Sequence, residues 1–244
     1  MIFDILVIVF FTSIVQSIFG TGVLLFGTPL MLISGYDFFT SLAILLPTSM
    51  LISVLQLINN IDYIDKSILK KIFLYSVPSI VAFLLLTSYL SINTNLFVGI
   101  YLIIISFKDN ILIVKKIFKL FMRYESLYFL IMGAVHGLTN LGGALLSAII
   151  FEKNISKNSK RSSIACSYLI FALFQIVTLF LIKNNGVAFN QSIFAYWIIG
   201  LLSFLVSNRY LFSKIKEDDY TNYSKIFLLV MGIVLLTNFF RSAF

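Results

Sequence analysis

Residues 15–22 read Val15-Gln16-Ser17-Ile18-Phe19-Gly20-Thr21-Gly22, and residues 135–143 read Val135-His136-Gly137-Leu138-Thr139-Asn140-Leu141-Gly142-Gly143. Each stretch puts small and polar residues into the middle of a long apolar run. Val15 and Gly22 match Val135 and Gly142 at an offset of 120, so Gln16 faces His136 and Gly20 faces Asn140. Further on, Gln56 matches Gln175 at an offset of 119, each in the segment after the interrupted one. The common order and nearly constant offset point to an internal duplication, a frequent mark of transporter folds.

The surroundings set the class. Hydrophobic residues make up 60% of the 244-residue chain and charged residues 11%, with a mean hydropathy of +1.03. Soluble domains are roughly half apolar and about a quarter charged. So much Phe, Ile and Leu has no place on a surface facing water, whereas lipid solvates it, provided the backbone satisfies its own hydrogen bonds. The apolar runs are continuous rather than alternating, which argues against an outer-membrane barrel. Eight runs stand out: 2–34, 38–58, 72–90, 95–114, 126–150, 162–182, 191–212 and 226–243. Six have the length of a spanning helix, ~20 residues. The first and fifth are the interrupted ones. The opening residues Met1-Ile2-Phe3-Asp4 lack the basic start of a cleavable signal peptide, so the first run is expected to stay in the protein.

Charge then chooses between two topologies. If both interrupted runs enter and leave on the same face, each half has three true crossings and the halves are inverted. The loops 59–71, 108–125, 151–161 and 208–225 then share one face, with three, five, four and four basic residues, sixteen of the eighteen in the chain. If every run crosses once, the same residues divide ten to eight. Basic loop residues concentrate in the cytoplasm, so the fold-back topology is expected. The fold class is therefore an all-α polytopic membrane protein of two inverted structural repeats. Each has a broken or re-entrant first helix followed by three membrane helices. Repeat one is 1–114, a linking loop occupies 115–125, and repeat two is 126–244. The net charge of +8 fits orientation and anionic headgroups rather than nucleic acid.

Candidate chemistry lies at the interruptions. Gly20, Gly22, Gly142 and Gly143 would open their helices, and freed backbone N–H groups at a helix N-terminus favour an anion. Close helix packing is the bland alternative for such glycines. His136 is the chain's single histidine and lies about ten residues into its run. Ionisable groups at that depth are rare and mark function. Gln16, Gln56, Asn140 and Gln175 offer donors and acceptors without a charge to desolvate. Thr21, Thr48 and Thr139 are weaker candidates, because Thr hydroxyls often bond their own helix. All ten Asp and Glu residues lie near segment ends or in loops, so no carboxylate is placed to bind a cation or carry protons in mid-membrane. The single Cys166 excludes an internal disulfide and a Cys-rich metal site. No metal or cofactor is expected. Nucleophile-elbow, P-loop, zinc-protease and dinucleotide patterns are absent from the sequence.

The two quoted stretches, with Pro29 after the first, resemble the paired glycine-rich signatures of the sulfite exporter TauE/SafE permeases. The resemblance runs over nearly the whole chain, including the two-half layout and charged centre. It implies a bacterial-type inner-membrane permease for a small anion, in this family often sulfite or a sulfonate. The expected site is Gln16, Gly20, Thr21, Gly22, Gln56, His136, Thr139, Asn140, Gly142, Gly143 and Gln175, worked by alternating access. The alternatives are an intramembrane enzyme built on His136, with a serine such as Ser147, and a membrane scaffold that carries nothing.

Overall fold

The computed structural model describes residues 2–58, 60–90, 94–107, 110–151, 153–182 and 192–210, with scattered positions between 229 and 240. The described residues are helical or in short connections, with no strand among them. In chain order the helices are α1 (Ile2–Phe19), α2 (Val23–Ile33), α3 (Phe38–Leu57), α4 (Lys66–Lys71), α5 (Val77–Tyr89), α6 (Thr94–Ser106), α7 (Leu112–Arg123), α8 (Glu125–Thr139), α9 (Gly143–Phe151), α10 (Lys157–Leu181) and α11 (Ser192–Tyr210). A wider turn at Ile72–Ser76 joins α4 to α5, so Lys66–Tyr89 runs as one rod.

Local chemistry sets the helix starts. Asp37 Oδ1 accepts from Thr40 N at the start of α3 (2.9 Å). Asp65 Oδ1 accepts from Ser67 N (2.8 Å) and Ile68 N (3.2 Å) at the start of α4. Ser156 Oγ accepts from Ser159 N ahead of α10 (3.2 Å). Each cap satisfies a donor that the first turn leaves unpaired. Both interruptions are real breaks. Gly20 has φ +76° and Asn140 φ +62°, a left-handed conformation that glycine adopts freely and asparagine tolerates better than most residues.

After each break the chain folds back. A Cβ on Gly22 would lie 2.4 Å from Gln16 N and 2.7 Å from Thr12 O, while one on Gly142 would lie 2.6 Å from His136 Cβ and 2.7 Å from Met132 O. Only glycine allows α2 and α9 to begin this close to the helices they leave. Along the second hairpin, Tyr128 Oη donates to Leu145 O (2.7 Å). Lys153, past the end of α9, sits 3.6 Å from Glu125 at the start of α8. The two ends of 125–153 therefore lie together.

Among the described residues, four rods are long and apolar enough to cross a membrane: Phe38–Leu57, Lys66–Tyr89, Asn158–Leu181 and Ile193–Tyr210. Their outer faces carry Phe73, Phe180, Phe194, Ile198 and Leu202, all more than half exposed, as lipid contact requires and water forbids. The rods Phe38–Leu57 and Lys66–Tyr89 correspond to the expected runs 38–58 and 72–90. The expected run 95–114 is corrected. It ends at Ser106 in a 13-residue helix. A turn follows, in which Ile111 N and Asn110 N donate to Phe107 O. The expected linking loop 115–125 is also corrected, since most of it is helical, in α7. Lys115, Lys116 and Arg123 take one side of that helix and Ile113, Ile117 and Leu120 another. This is the pattern of a helix lying in a membrane interface. Residues 108 and 109, the stretch 211–225 and most of the run 226–243 lie outside the described residues.

The helices after the two breaks, α3 and α10, pack on one another. α1 packs against α11, and α8 against α5, so each half's broken helix lies on a rod of the other half. Small residues allow this. A Cβ on Gly133 would lie 2.5 Å from Ser76 O, and Ser76 and Ser79 hydroxyls donate to Phe129 O (2.8 Å) and Leu130 O (2.9 Å).

Candidate functional site

The amides and the histidine sort into two networks, one per break. In the first, Gln16 is fully buried. Its Nε2 donates to Ser49 O (3.2 Å) and Ser53 Oγ (3.4 Å). Its Oε1 accepts from Val23 N (3.1 Å) and Ser49 Oγ (3.3 Å). Gln16 thus caps the N-terminus of α2 with its own side chain. Gln56 Nε2 donates to the Gln16 carbonyl (3.0 Å), and Gln56 Oε1 is buried without a partner among the described residues.

In the second network the bonds run in a line. Asn140 Nδ2 donates to Thr28 Oγ1 (2.9 Å), and Gln175 Nε2 donates to Asn140 Oδ1 (3.3 Å). Gln175 Oε1 is then left to accept from His136 Nε2 (3.1 Å). The amide order fixes the ring, with Nε2 bearing hydrogen. His136 is fully buried, and its Nδ1 has no partner among the described residues.

The breaks meet. Thr21 Oγ1 donates to Tyr168 Oη (2.5 Å). The same hydroxyl sits where a Cβ on Gly143 would be, 1.3 Å from that position. The Tyr168 ring lies edge-on to the His136 ring at 6.2 Å, with Phe171 at 4.8 Å from His136. Thr28, on the first hairpin, holds Asn140 of the second. Of the expected residues, Thr21, His136, Asn140, Gly142, Gly143 and Gln175 come together here. Gln16, Gly22 and Gln56 form the neighbouring first network. Thr139 Oγ1 donates within its own helix to Val135 O (2.7 Å) and accepts from Leu141 N (3.2 Å), and Thr48 likewise bonds Ile44 O (3.1 Å). Gly20 lies under Arg161, 3.2 Å from its carbonyl by its Cβ position.

Sequence reasoning missed Tyr168, Arg161, Thr28, Ser49 and Ser53. Tyr168 and Gln175 are seven residues apart, two turns on one helix face, as are Ser49 and Gln56, with Ser53 between. That spacing was the available signal. Arg161 Nη2 donates to Ser17 O at the end of α1 (2.9 Å) and to Asn208 Oδ1 (2.5 Å), a cation at a helix C-terminus. No group of His, Cys, Asp and Glu suited to a metal ion occurs among the described residues.

The family described as Sulfite exporter TauE/SafE matches residues 5–236. The chain belongs to the TauE/SafE family. That family is one of membrane transporters of sulfur-containing anions rather than of enzymes, and this TauE/SafE protein is accordingly an integral membrane protein. No curated protein and no solved structure matches it.

Proposed function

We propose that this TauE/SafE protein is a secondary permease for a small sulfur-containing anion, sulfite or an organosulfonate, working by alternating access. The site lies between two inverted repeats, 1–114 and 126–244, and draws on Gln16, Gly20, Thr21, Gly22, Gln56, His136, Thr139, Asn140, Gly142, Gly143 and Gln175. The observation that carries this reading is the meeting of the two breaks through Thr21, Tyr168 and Gly143. Broken helices that converge inside the lipid slab, lined by neutral amides, suit an anion and not a metal cation.

Several parallels support the repeats. Gly22 closes on Gln16 and Thr12 as Gly142 closes on His136 and Met132, each pair at the same offset of 120. The left-handed residues, Gly20 and Asn140, share that offset. The exchange of α1 onto α11 and α8 onto α5 gives two bodies that can rock about the shared centre. The end bearing Lys71, Glu125 and Lys153, where Lys71 and Glu125 pair, is on this reading the cytoplasmic face of the cell membrane.

The test is sulfite flux into liposomes carrying the purified protein. The wild type is expected to carry it, and His136→Ala and Gln175→Ala to lose at least about tenfold, the scale of one charged hydrogen bond. Absence of wild-type flux for sulfite, sulfate and isethionate alike would end the reading. An enzyme built on His136 draws no support from the geometry, because its Nε2 is engaged by an amide and not by a serine hydroxyl.

A further inference from the structure

The two networks share a plan and differ in one respect. In the first half the N-terminus of α2 is closed, although Gln56 Oε1 beside it is buried without a partner among the described residues. Gln16 caps Val23 N, and Ser49 and Ser53 complete its bonds. In the second half the corresponding positions are His136, Gly143, Tyr168 and Ala172. His136 turns its Nε2 to Gln175 and leaves Nδ1 buried and unpartnered among the described residues. The first turn of α9 is faced by a foreign group, the Tyr168 hydroxyl, pressed against Gly143. A buried imidazole nitrogen without a partner costs about 1–3 kcal/mol. A site that tolerates this is built for a group that arrives later.

Resting on the permease reading, we infer that the anion's seat is the second break alone, at the N-terminus of α9 between Thr21, Gly143 and His136. The Tyr168 hydroxyl occupies that place against Gly143. The first break is its structural counterpart, closed by its own glutamine. The anion displaces the hydroxyl and meets the N-terminal amides of α9, which carry partial positive charge. Thr21, released from Tyr168, turns its hydroxyl to the anion. His136 Nδ1, a free lone pair in the ring that carries its hydrogen on Nε2, accepts from a protonated anion such as hydrogen sulfite. The other titratable group facing the ring is Tyr168, on α10. The other described side chains shown against His136 are Gln175 and Phe171, also on α10. Neither Tyr168, Gln175 nor Phe171 brings a formal charge. Gly143 is required because any side chain there would fill the seat. The ligand class is a compact oxyanion whose oxygens can replace one phenolic oxygen. A sulfonate fits by its head group.

Two substitutions test this, with sulfite and sulfate as probes and binding read by calorimetry on the full chain in detergent. His136→Gln copies the first half, places an amide oxygen where it can cap Gly143, and should weaken binding by about tenfold or more. Tyr168→Phe removes the competing hydroxyl and the bond to Thr21. Binding should tighten by about three- to tenfold, the equivalent of one net hydrogen bond. A gain of affinity cannot come from misfolding. If the wild type binds and carries sulfite while both variants bind with unchanged affinity, the seat is elsewhere and the permease reading stands. Weaker binding in Tyr168→Phe would make the hydroxyl a ligand and overturn its role as place-holder. If the wild type neither binds nor carries any probe, the permease reading falls and this inference with it.

Discussion

At the residue scale, Gln16 and His136 show how one position can serve two ends. Both are fully buried and both follow a valine at the same distance before a glycine. Gln16 spends its capacity inside the protein, on Val23, Ser49 and Ser53. Gln16→Ala should therefore strand the Val23 N–H and weaken the fold by about 1–3 kcal/mol. Thermal unfolding in detergent would read this as a fall of roughly 2–12 °C, and an unchanged midpoint would deny Gln16 its capping role. Polar side chains in apolar runs were legible in the sequence because they are costly there without a partner. Their partners were not. Serines such as Ser49 and Ser53 are ordinary on membrane helices, and Tyr168 reads as one more interfacial aromatic until its hydroxyl is placed against Gly143.

Between whole elements, contact is set by what lies opposite each small residue. Gly133 on α8 meets backbone, since a Cβ there would lie 2.5 Å from Ser76 O. Gly200 on α11 meets side chains of Thr48, Ser13 and Val9. A side chain can turn aside and a backbone carbonyl cannot. Gly133→Ala should therefore separate α8 from α5 and cost about 1–3 kcal/mol, with Gly200→Ala costing less. Parallel unfolding curves check the order, and equal losses would refute it. Helix existence was legible here from hydropathy alone, and so were the two breaks, from clustered glycine. The split of 95–114 into α6 and α7 was not read, although Lys108, Asp109 and Asn110 interrupt the apolar run just where the turn after Phe107 falls. The helical character of 115–123 was hidden by lysines, whose spacing along one face was the sign of an interfacial helix.

For the whole molecule, the arrangement of charge and the course of the hairpins bear on the same question. A single crossing by 125–153 would put Glu125 and Lys153 on opposite faces. Their side chains instead lie 3.6 Å apart, and Lys71, at the start of the Lys66–Tyr89 rod, pairs with the same carboxylate. Asp65 N also donates to the Ser163 hydroxyl oxygen (2.9 Å), which brings the start of α10 to this end. The opposite end holds the turn at Gly35, with Asp4 near Tyr36. Charge counting favoured the fold-back topology from the sequence because that topology gathers sixteen of the eighteen basic residues into the loops of one face, whereas the place where the hairpins touch needed coordinates. The proposed orientation makes a definite forecast for a Cys166→Ala background. A membrane-impermeant maleimide applied to intact cells should label Gly35→Cys and leave Lys153→Cys and Arg209→Cys untouched until the membrane is opened. Labelling of Lys153→Cys together with Gly35→Cys in intact cells would mean that 125–153 crosses once, and the inverted pairing of the two breaks would go with it.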